Sequence, residues 1–156
     1  MNAAQRGAAC EQFTEQAFTA AAGAYMRTPG SWAQAVHAAL AGLLDFVAES
    51  PFTRVAFVDE LRAGAAGLER RDRALERFTD FLEPGYAQSA ERLPEIVAEA
   101  VSGGVYELIR RRVAEGRIAS LPAALPEATL LALAPFVGQE EAERLAARPI
   151  PLRMDR

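Results

Sequence analysis

The 156 residues fit a single domain with room for a sizeable core, just over half of them are hydrophobic (51%), and 21 acidic residues against 17 basic ones leave a net charge of −4. With a pI near 5.1, the balance opposes whole-surface attraction to nucleic acid. The lone cysteine, Cys10, excludes an intramolecular disulfide or a cysteine-rich metal site, and the lone histidine, His37, counts against a histidine-based metal or acid–base centre, so no cofactor is expected.

Alanine dominates the composition and every basic residue is arginine, a bias that favours helix over strand. The first helix is expected over residues 8–27, with Phe13, Ala17, Ala20 and Ala24 on one face, and TPG at Thr28 to Gly30 ends it. Ser31 followed three residues later by Gln34 reads as a capping box opening a second helix, whose stripe is Trp32, Val36, Leu40, Leu43 and Val47. Ser50 and Pro51 then read as the N-cap and first residue of a third helix carrying Phe52, Val55, Phe57, Val58 and Leu61.

Residues 63–67 form a soft joint before a charged helix, LERRDRALERFTDFL, with Leu68, Leu75, Phe78 and Leu82 inward and Pro84-Gly85 as its stop. A helix over 94–115 follows, with Gly116 as its C-terminal cap, and the last helical region spans 122–136, interrupted at Pro135. GQEEAERLAA closes the chain as a short helix. No alternating strand pattern occurs, so the expectation is one all-α domain over 1–156, of about six helices.

Gly103 and Gly104 lie inside the 94–115 helix, with no preceding strand and no lysine, so they do not form a phosphate-binding loop. Each costs about 1 kcal/mol relative to alanine there, which points to close approach by another backbone or a ligand. Winding the helix at about 100° per residue gathers Leu93, Val97, Ala100, Val101, Gly104, Val105, Leu108 and Ile109 on nearly half the circumference. That exceeds the roughly 100° stripe of a helix at the edge of a monomer, and predicts one neighbour inside the subunit and one outside. Arg110, Arg111 and Arg112 suit the negative end of the helix dipole but diverge in three directions, so they make no single basic stripe.

The ordered set of SWAQAVHAALAGLLDFVAESPF, ERRDRALERFTDFLEPG, LPEIVAEAVSGGVYELIRRRV and APFVGQEEAERL, spanning about 11–147, resembles the C-terminal regulatory domain of TetR-family transcriptional regulators. The resemblance implies a homodimer in which the last two long helices, 94–115 and 122–136, form a four-helix bundle with those of a partner. It also implies a cavity for a small, largely apolar ligand, and contact with DNA only through an N-terminal helix-turn-helix unit that the first helix here would follow as a connector. The interface residues it suggests are Val97, Val101, Gly104, Val105, Leu108, Arg112, Leu130, Leu133 and Phe136. The candidate ligand walls are Phe18, Tyr25, Trp32, Phe46, Phe57, Phe78, Phe81, Val101 and Tyr106, each of which core packing also explains.

Asp59 and Glu60 offer a carboxylate to a cationic ligand, against a solvated face or a pair with Arg62. His37 reads as a boundary residue, and Cys10 as part of a frayed terminus. No triad or nucleophile elbow is present, so no enzyme is expected. The alternative function is a headless helical dimerisation module without ligand. No apolar run reaches the roughly 20 residues that span a bilayer, and the N-terminus lacks the apolar stretch of a secretion signal, so the expected compartment is the cytoplasm.

Overall fold

A computed structural model describes residues 1–150. They form seven α-helices and no strand: α1 Ala3–Arg27, α2 Trp32–Glu49, α3 Ala65–Thr79, α4 Gly85–Gln88, α5 Val97–Ala114, α6 Leu125–Val137 and α7 Gln139–Ala146. A π-helical turn, Val55–Asp59, runs into a 3-10 turn, Glu60–Ala63, between α2 and α3. A second 3-10 stretch, Ile118–Ala124, leads into α6.

The caps set most boundaries. Ser31 and Gln34 form the expected reciprocal box, Gln34 N–H to Ser31 Oγ at 3.2 Å and Ser31 N–H to Gln34 Oε1 at 2.9 Å. A second box, Asn2 with Gln5, starts α1 five residues earlier than its apolar pattern suggested. Gly116, at φ +74°, ends α5. There the Arg117 N–H reaches the Arg112 carbonyl (2.8 Å) and the Gly116 N–H that of Val113 (3.1 Å), the paired bonds of a Schellman cap.

Several expectations are corrected. The α-helix expected from Pro51 does not form. Ser50 terminates α2, the buried Thr53 hydroxyl bonds back to the Val47 carbonyl, and the chain that follows winds first wide and then tight. Leu68 faces outward, 45% exposed. Pro135 does not interrupt α6, which runs on to Val137 and stops at Gly138, φ +87°. The short helix α4, flanked by Pro84, was not anticipated. The helical stretch Ile118–Val137 is long and apolar enough to cross a membrane by length and composition, against the expectation that no run was. It packs as a core element here, with Leu121, Ala128, Thr129 and Leu133 fully buried.

Helices α1 and α2 pair as an antiparallel hairpin: Phe13 meets Phe46 (5.2 Å between ring centroids), and a Cβ on Gly42 would come within 3.1 Å of the Ala20 carbonyl oxygen. Close approach there requires glycine. Helix α2 crosses α6 and the 3-10 stretch before it, burying Leu44, Val47, Leu121 and Leu133 completely. Helix α5 contacts α3, α6, the π turn and the 3-10 stretch before α6. Its wide apolar arc is therefore met largely within its own subunit, where one inner neighbour had been expected. Of the arc only Ala100 is exposed; outside it, Ile96 just before α5 (59% exposed) and the half-buried Gly103 share the outward side of the helix, and Leu131 of α6 (38% exposed) lies against the neighbouring Gly104.

Candidate functional site

The helices do not close completely on one another. Between α1, α2, the π and 3-10 turns, α3 and α5 lies a cavity of about 480 Å³, within the roughly 300–1,000 Å³ of small-molecule sites. Small side chains leave the space: Ala17 and Ala21 on α1 face Ala39 on α2, where larger residues would fill it. Leu40, Leu43, Phe78, Phe81 and Val101 give it an apolar body. Exposed lining residues Glu11 and Glu15 on α1 and Arg73 on α3 mark its mouth. An ion pair between Arg77 and Glu15 ties these two helices together, with the Arg77 guanidinium 4.2 Å from the centre of the Phe18 ring.

One end of the cavity is polar. Glu60, 4% exposed, is held there by the 3-10 turn and takes a hydrogen-bonded ion pair from Arg70 on α3. The pair with Arg62 and the solvated face considered from sequence are both replaced by this one. Ten residues separate Glu60 from Arg70; the kink at Gly64 (φ +69°) and the close seat of Gly67 against the Glu60 carbonyl, where a Cβ would clash, bring α3 back onto the turn. Cys10, buried well inside α1 rather than frayed, donates to Glu60 Oε2 across 3.5 Å. Burial, followed by the neighbouring Glu60 charge, pushes this thiol up to about 12, so it stays protonated and is no nucleophile at neutral pH.

Tyr106 of α5 completes the polar end. Its ring lies 5.2 Å from that of Phe57, and the Arg71 guanidinium sits over it at 5.6 Å from the centroid. Its hydroxyl is buried with no hydrogen-bond partner among the described residues. Burial pushes the phenol up to about 12, so it remains a neutral O–H donor. Ser102, by contrast, is satisfied by Thr79 Oγ1 at 2.9 Å.

Of the nine wall residues expected from sequence, Phe57, Phe78, Phe81, Val101 and Tyr106 line the cavity. The other four stand behind it. Phe18 packs on Phe78 and Phe81, Tyr25 on Phe81, and Phe46 on Phe13. Trp32 packs on Phe136 and donates its indole N–H to the Phe81 carbonyl at 2.8 Å. Sequence reasoning missed Cys10, Phe13, Arg70 and Arg71 as lining residues. The run of alanines on the inner face of α1 was the available signal, since a face of small residues opposite other small residues leaves room.

The residues suggested for a dimer interface divide similarly. Val101, Val105, Leu133 and Phe136 are buried in the subunit's own core, which corrects their assignment to its surface. Val97, Gly104, Leu108 and Leu130 are half-buried along α5 and α6. Gly104 serves the α5–α6 contact, where an added Cβ would lie 3.2 Å from Leu131 Cδ2. Arg112 reaches Glu127 on α6 at 2.9 Å, while its Nη1 is buried with no partner. Arg110 is paired with Glu107. His37, expected at a boundary, is 4% exposed and bonded on both ring nitrogens.

Among the described residues no group of three or more His, Cys, Asp or Glu could hold a metal ion. No family model, no curated protein and no solved structure matches the chain.

Proposed function

We propose that this chain is an effector-sensing, homodimerising regulatory domain of the TetR-like kind, acting in the cytoplasm and reaching DNA only through a helix-turn-helix unit outside the sequence described. The carrying observation is the 480 Å³ apolar cavity enclosed by α1, α2, α3 and α5, with a polar end. Because the cavity opens at a mouth it is not a sealed dry void, and an apolar lining left against water favours an apolar guest that covers it. The cavity shares α5 with the outward strip proposed for association, so occupancy and subunit packing act on one helix. No catalytic role is proposed.

The dimer rests on the strip Ile96, Ala100, Gly103 and Leu131, apolar and small residues turned away from the subunit's core. That strip alone would also suit the second reading, a dimerising module without ligand; the cavity favours the first.

The test is fluorescence titration of the folded protein with the neutral dye Nile red, alongside light scattering after size-exclusion chromatography. Saturable binding of about one dye per subunit, on a dimer, is expected. A dimer that takes up no dye would leave the ligand-free module as the better account, and a monomer at high concentration would remove both.

A further inference from the structure

The cavity's polar end has an asymmetry that identifies the ligand's head group. Its one buried carboxylate, Glu60, is already neutralised by Arg70 and also accepts from the Cys10 thiol. A cationic ligand would have to displace an arginine that the fold itself places there. The opposite arrangement holds for donors. The Tyr106 hydroxyl is buried among cavity-lining groups with no acceptor among the described residues. Arg71, lying over the same ring, pairs among the described residues with the exposed neighbour Asp72, at 3.1 Å. Such a solvent-exposed pair is weak and easily exchanged. Arg73, at the mouth, has no ion-pair partner among the described residues.

We propose that the cavity takes an amphipathic anion, a carboxylate on an apolar chain or ring. The Tyr106 hydroxyl donates to the carboxylate, the Arg71 guanidinium balances its charge, and the apolar body lies among Leu40, Leu43, Phe78 and Phe81. This rests on the sensing reading above and specifies its ligand. A hydrogen bond to an ionised acceptor is about twice as strong as a neutral one, so a carboxylate gains more from this donor than an alcohol of the same length does.

The experiment displaces Nile red from the full chain with decanoate, decanol and decyltrimethylammonium, all below their micelle concentrations. Decanoate should displace the dye at about tenfold lower concentration than decanol, with the cation weakest. Tyr106→Phe, its Nile red affinity re-measured by direct titration, should weaken decanoate by about tenfold more than it weakens decanol. The variant should melt no lower than the parent, because it removes a buried group that lacks a partner. Arg71→Gln should narrow the preference for carboxylate over alcohol. Displacement by the cation at least as strong as by decanoate, or undiminished decanoate affinity in Tyr106→Phe, would overturn the assignment while leaving the sensing domain intact. Failure of the folded parent to bind Nile red at all would remove the sensing reading, and this inference with it.

Discussion

His37 on α2 meets Thr129 Oγ1 on α6 at 2.7 Å through Nδ1, and the Arg148 carbonyl, just beyond α7, at 3.2 Å through Nε2. The carbonyl accepts only, so Nε2 carries the proton, and Nδ1 of the neutral ring accepts from the threonine. Burial holds the imidazole below its ordinary value of 6.5, with the Arg148 carbonyl acting weakly in the opposite direction. A lowered folded value means that the unfolded chain takes up the proton first as pH falls. Stability is therefore whole above pH 6.5 and declines below it, by at most about 1.4 kcal/mol per pH unit. Melting temperatures between about pH 7.5 and 5.5 should fall for the parent, whereas His37→Gln should start lower and lose this slope. Parallel curves would show that the ring does not titrate in this range. A lone histidine flanking an apolar stripe gave no hint of this role, because both partners lie far along the chain. The same holds for Glu60 and Cys10, whose chemistry depends on how the turn after α2 folds.

Helix α5 carries the two adjacent glycines, and their surroundings separate them. Gly104 faces Leu131, while a Cβ on Gly103 would meet nothing within 4 Å. Within the lone subunit, Gly103→Ala should then be favourable by about 1 kcal/mol, the ordinary helix-propensity gain. If a partner helix passes over this point in the proposed dimer, the added methyl separates the backbones. The expected result is higher thermal stability under dilute, dissociating conditions together with several-fold weaker association in analytical ultracentrifugation. Greater stability with unchanged association would take Gly103 out of the interface. Most elements were readable at this level, since the caps Ser31, Gln34 and Gly116 and the stripe of α2 are local signals. The segment after Ser50 was not, because its winding follows from the Thr53 hydroxyl bonding to Val47 and from packing against α5.

For the molecule as a whole, the cavity and the outward strip lie on opposite sides of α5, so they should be separable by mutation. Ile96→Asp with Leu131→Asp places charge on the strip without touching a cavity-lining residue. This double variant should be monomeric by light scattering, with helical circular dichroism and Nile red binding retained. An undiminished dimer would move the interface elsewhere. The helical class was legible from composition, and of the nine walls expected from sequence five line the cavity, four aromatics and Val101. The volume itself was not, since it arises where α1 and α2 present alanines toward one another, a coincidence of distant segments that no local pattern encodes.

The wall formed by Val55–Asp59 and Glu60–Ala63 has a wide turn backing onto a narrow one, with Gly64 after them. Windings of these two kinds occur mostly as short pieces of this sort, often at functional sites. Ala56, Phe57, Glu60 and Leu61 all ride on these turns and all face the cavity. A change in the cavity's girth on this side would therefore be felt by α5 at once, because Phe57 of the wide turn packs on Tyr106 and that turn contacts α5.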